Sequence, residues 1–197
     1  MKGHSRKNIL NILDPKEQLT FICREIDIAM ERFSNVKTRR DILVTIAFNL
    51  SNQEDEWHWI ESDDLSDCAS LNDLMHEEDS VFYALYAEEM PYVFYNSKIK
   101  ANSEKCYYLD KKDKAAIASN GDGSIVCKSI KIKYNDFVYG HAILSISSFN
   151  RKFVSMDSDV ASFERNLKDL LDIYASRIQI ELLNLWIKEN SKQLSTR

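Results

Sequence analysis

The stretch FVYGHAILSISSFNRKFVSMDSD, residues 137–159, decides the fold class. It opens as a strand, breaks at Asn150-Arg151-Lys152 and restarts as a helix. Side chains alternate across a strand, so Val138, Gly140, Ala142, Leu144 and Ile146 share one face. Phe137, Tyr139, His141, Ile143, Ser145 and Ser147 share the other. The first face is smooth and apolar, as suits packing under helices. The second mixes aromatic rings, an imidazole and hydroxyls, the character of a sheet face that floors a small-molecule pocket. A strand with two such faces needs a covering layer on each side.

Working outward, Gly123 precedes a second strand over Ser124–Tyr134. Tyr134-Asn135-Asp136 reads as the hairpin turn, because Asn and Asp tolerate left-handed backbone angles. Downstream, a helix is predicted from about Asp157 to Glu189. Its stripe runs through Val160, Phe163, Leu167, Leu171, Tyr174, Ile178, Leu182, Leu185 and Trp186. At about 1.5 Å per residue it is roughly 50 Å long, more than one small sheet can cover. Its far end therefore needs another partner. A first helix starts at Pro15 behind the cap Asp14 and carries Leu19, Ile22, Ile26, Met30 and Phe33 at helical spacing. Thr38 and Asp41 predict a second helix with Ile42, Leu43, Ile46, Ala47 and Leu50 inward. Alternation over Glu56–Glu61 predicts a strand. A loop or short helix over 63–78, a helix over Ser80–Glu89, a short strand over Tyr92–Tyr95 and a helical patch around Lys112–Ile117 follow.

The 197 residues carry 44% hydrophobic and 29% charged side chains, which is enough for one globular domain with a real core. The net charge of −5 argues against a general nucleic-acid binder, because phosphate binding needs a basic face. No apolar run reaches the roughly 20 residues of a membrane helix. The start of the chain lacks the apolar core of a secretion signal. The four cysteines, Cys23, Cys68, Cys106 and Cys127, form no C-x-x-C pair, and the four histidines form no H-x-x-x-H pair. Free thiols in a reducing cytoplasm are the expectation, with no metal and no cofactor. Residues 1–13 are read as a basic tail, 14–190 as one domain with both terminal helices, and 191–197 as a C-terminal tail.

This order of elements resembles a GAF domain, of the GAF/PAS-like sensory superfamily, in its single-domain prokaryotic form. The resemblance spans about Pro15 to Glu189. Asn150-Arg151-Lys152-Phe153 with Asp157 is similar to the N-K…F-x-x-x-D-E pattern of such domains, with Arg151 in place of Lys and Ser158 in place of Glu. Asn96, Lys98, Tyr107 or Tyr108, Asp113 and Ser124 are similar to a polar cluster of prokaryotic members. The resemblance implies an α+β fold. An antiparallel sheet would carry the N- and C-terminal helices on one face, while loops and short helices close a pocket on the other.

It also implies a non-catalytic sensory or signalling domain that binds a small molecule or a partner protein. The pocket residues expected are Tyr95, Asn96, Lys98, Tyr107, Asp113, Ser124, Tyr139, His141 and Ser145, with Lys98 suited to an anion. A homodimer is expected through Leu19, Ile22, Ile26, Leu182, Leu185 and Trp186. The alternative for that helix end is cover by the N-terminal helix of the same chain. Two further readings stand beside the sensor. One is a protein-interaction domain with an occluded pocket. The other is a GAF-fold reductase of free methionine sulfoxide using Cys106 and Cys127, although the rest of that family's cysteine pattern is missing.

Overall fold

The computed structural model describes residues 14–36, 41–50, 56–61 and 69–194. Its elements are α1 (Pro15–Phe33), β1 (Ile42–Asn49), β2 (His58–Glu61), α2 (Leu71–His76), α3 (Val81–Tyr86), β3 (Tyr92–Tyr95), α4 (Lys98–Ser103), α5 (Lys111–Ala118), β4 (Ile125–Tyr134), β5 (Phe137–Ser148) and α6 (Val160–Leu194). A 3-10 turn over Asp157–Asp159 leads into α6. The strands form one antiparallel five-stranded sheet in the order β2-β1-β5-β4-β3. The fold class is α+β. Among the described residues, no helix is long and apolar enough to cross a membrane.

Alternation along the strands sends two sets of side chains into two cores. On one face Ile42, Val44, Ile46, Phe48, Val126, Ile130, Ala142, Leu144 and Ile146 pack under α1 and α6. On the other, Ala47, Ile125, Cys127 and Ile143 pack under α2, α3 and the segment around Tyr107. The hairpin β4–β5 turns on Asn135, whose φ is 53°, as an Asn can supply at modest cost. Gly123 precedes β4 because a Cβ there would sit 1.9 Å from the carbonyl oxygen of Ser148.

The helix expected from Thr38 onward is corrected. Residues 42–49 are β1, and Thr38 lies outside the described residues. All eight β1 residues are buried, because the strand is interior to the sheet and covered on both faces. A continuous apolar run matches helical and strand spacing equally well. The β-branched content of Ile42-Leu43-Val44-Thr45-Ile46 was the signal that pointed to a strand.

Tyr139 is a second correction. The β4–β5 register shifts so that Ile132 faces Gly140 while Lys133 faces Val138. Tyr139 is the extra residue of a bulge, and a one-residue slip exchanges faces. Its ring joins the helix-side core, 4.4 Å from that of Trp186. It therefore lies on the face opposite Ser145.

The proposed dimer residues are a third. Leu19, Ile26 and Leu182 are 0% exposed, and Ile22 and Leu185 are 2% exposed, all within one chain. The helix α1 runs antiparallel to α6. Lys188 bonds Asp14 at 2.6 Å at one end, Arg177 pairs with Glu25 midway, and the rings of Phe33 and Phe163 meet at 4.8 Å at the other end. The apolar stripes of both helices turn inward to the sheet and each other, so these five side chains offer nothing to a second copy; Trp186, the sixth, is only partly buried, against Tyr139.

Candidate functional site

A cavity of about 60 Å³ opens on the sheet face away from the terminal helices. Its floor is Thr45 of β1 with Ser145 and Ser147 of β5. Thr45 and Ser145 are directly paired across the strands. Trp59 of β2, Phe82 of α3, Phe149 and the Tyr107–Tyr108 segment form its walls. The Trp59 and Phe82 rings meet edge to face, 5.7 Å apart. Thr45 is 4% and Ser147 8% exposed, yet neither hydroxyl has a hydrogen-bond partner among the described residues. Both hydroxyls open onto the cavity, where water or a ligand can pair them.

Behind Tyr107 lies a buried polar network. Ser97 caps α4 and so fixes Lys98 at its start, facing inward. Asp110 caps α5 by accepting from the Asp113 backbone N–H at 2.8 Å, which turns the Asp113 side chain in. Lys98 Nζ meets Asp113 Oδ1 at 2.6 Å, and the Tyr107 hydroxyl donates to Asp113 Oδ2 at 2.7 Å. Lys98 and Asp113 are only 1% and 2% exposed. The Lys98 ammonium also sits 4.3 Å from the centre of the Phe149 ring. Burial pulls the Lys98 pKa down, and the Asp113 carboxylate opposes that. Burial and the same carboxylate hold the Tyr107 phenol well above its ordinary value. This network locks the cavity wall; Lys98 itself does not line the cavity.

Asp110 does line the cavity, and its carboxyl is pushed above the usual 3.8, first by burial and then by the Asp113 charge. A group with a raised folded pKa contributes stability that is full below 3.8 and lost as pH rises through the folded value. Asp110→Asn keeps a good helix cap and removes that loss. Allowing for solvent screening of a partly exposed group, it should melt higher by about 2–4 °C near neutral pH, the effect of roughly 1 kcal/mol here. Melting curves taken at falling pH should show the difference close towards pH 3.8; a constant difference would show that Asp110 carries no such cost.

Of the residues expected to line a pocket, Tyr107 and Ser145 reach the cavity, with Lys98 and Asp113 directly behind. Asn96 and Ser124 brace the turn after β5 instead. Ser124 Oγ donates to the Asn96 carbonyl and accepts from Phe153 N–H, while Asn96 bonds Val154 through both its amide atoms. Tyr95 lies in a separate groove with Lys100 and Glu104. His141 lies in another beside Tyr86 and Lys131, with its pKa lowered mainly by burial. Asn150 bonds Asp41 at 2.6 Å and Phe153 is 1% exposed, so both support the fold. Lys152 pairs with Asp122. Thr45, Trp59, Phe82, Asp110 and Phe149 were not expected at the site, while Tyr108, named only as the alternative to Tyr107, lines it as well. Only Asp110 had a legible local signal, the D-x-x-D capping box ahead of α5.

No family model matches this chain, and neither does any curated protein or solved structure.

Proposed function

We propose that the chain is a non-catalytic GAF-like sensory domain that holds a small molecule in the cavity over its sheet. The observation that carries this reading is that Thr45 and Ser147, both largely buried residues, line that cavity with hydroxyls that have no partner among the described residues. Terminal helices on one face and short helices on the other support it, since both layers of the sheet are then accounted for. Burial pushes the Cys127 thiol up to about 12, which keeps it protonated and unreactive. That weighs against thiol chemistry with the exposed Cys106.

The domain with a filled pocket remains the second reading, favoured by the small size of the cavity. Native mass spectrometry separates the two. The purified wild type is expected to carry added mass. Ser145→Leu, which fills the floor, should lose that mass and stay folded. Wild type with the mass of the bare chain, and no change in melting with small polar compounds, would favour the filled-pocket domain.

Pairing with a second copy needs a surface other than the buried stripes. Ile173, Ile180 and Ile187 supply one on the outer side of α6, at 63%, 59% and 51% exposed. They recur every seven residues, the spacing of a helix–helix seam, and apolar side chains so aligned favour burial against a like helix.

A further inference from the structure

We propose that the cavity takes a small organic cation, with a primary ammonium group held by the Asp110 carboxylate against the aromatic wall and a hydroxyl-bearing body on the floor. This rests on the ligand-binding reading above. It reverses the charge that Lys98 suggested from the sequence.

Three observations carry it. First, Asp110 is the only charged side chain lining the cavity among the described residues. Lys98 is held by Asp113 behind Tyr107 and does not reach the space. Lys112 rests on the Phe149 ring at 4.4 Å and Lys114 over the Tyr108 ring at 5.7 Å, and neither lines it. Two carboxylates, Asp110 and Asp113, thus face one buried ammonium, and the cluster is one positive charge short. Second, one Asp110 oxygen caps α5, and the other side-chain partner of this carboxyl is the Asp113 carboxyl, which repels it when both are charged. An ammonium donates three hydrogen bonds and would offset that repulsion. Third, Trp59, Tyr107 and Tyr108 line the same cavity as this carboxylate. Ring faces attract cations, and more so where water is excluded. The unpaired Thr45 and Ser147 hydroxyls then suit a second polar group on the same molecule.

Three molecules of one shape test this on the full chain: 1-aminopropan-2-ol, propane-1,2-diol and lactate, a cation, a neutral and an anion. Binding is read by calorimetry and by thermal shift. The amine is expected to bind about tenfold or more tighter than the diol, the scale of a hydrogen bond to a charged group. Lactate should bind weakest. Asp110→Asn should lose that preference, the ratio of amine to diol affinity falling towards one. The wild-type ranking decides the matter even if the variant folds poorly. Lactate or diol binding as tightly as the amine would overturn the proposal and leave the ligand-binding reading standing. So would a folded Asp110→Asn that keeps the full amine preference. If none of the three binds at millimolar concentration, the cation proposal falls, and the ligand-binding reading is decided separately by the mass of the purified chain.

Discussion

Lys98→Met should lower the unfolding free energy by about 3–5 kcal/mol, the cost of removing one partner from a buried ion pair. The side chain is nearly the same size, so packing changes little. What remains is the Asp113 carboxylate, 2% exposed, with only the Tyr107 hydroxyl and weaker backbone contacts to hold it. At about 2–4 °C per kcal/mol, the melting temperature should drop by roughly 10 °C. The variant Lys98→Met/Tyr107→Phe/Asp113→Leu removes every polar member at once. It should recover most of the loss, because an apolar set of similar volume needs no partners. If it melts as low as Lys98→Met alone, the network matters by shape and not by charge.

Leu182→Ala comes next in size. Leu182 is 0% exposed between α6, α1 and the sheet, so truncating it should cost about 2–5 kcal/mol. Burial within one chain makes a specific demand: the loss must not depend on protein concentration, and the mass in solution must not change. Ile180→Asp is the counterpart. Ile180 is 59% exposed, so the charge should leave the melting temperature of a single chain nearly unchanged. If two copies pair through the outer face of α6, sedimentation should show this variant shifted to monomer. A dimer weakened by Leu182→Ala and untouched by Ile180→Asp would return the interface to the inner stripe.

Both strands of the β4–β5 hairpin, its Asn135 turn, the Asp14 cap of α1 and the long α6 were legible in the sequence. Each depends on interactions within a few residues. A period-two face, a cap bonding an N–H two residues on, and a stripe repeating each turn are all short-range facts. The two-faced β5 also announced a layer on each side of the sheet.

The site was less legible, because its members come from seven separate segments. Asp113 was singled out for its polar neighbourhood, but the charge of the cavity turned on a contact fifteen residues back, where Asp113 holds Lys98 and leaves Asp110 facing the space. Asn96 and Ser124 have the same polar character as Ser145. They were placed in a brace only by the return of the chain at Phe153 and Val154.

Residues 42–49 and 137–139 show where local pattern ends. Eight buried residues in a row carry no periodicity, so β1 became a strand through its pairing with β2 and β5 and the cover on both its faces. Tyr139 changed faces because one bulge shifted the register against β4, and Gly140 admits the end of β1 there, where a Cβ would lie 2.2 Å from the Asn49 carbonyl oxygen. The inward stripes of α1 and α6 foretold that those leucines and isoleucines would be buried. Whether a second chain or the same one would cover them was settled by the antiparallel approach of the two helices, since hydrophobic burial has no preference for which chain supplies the cover.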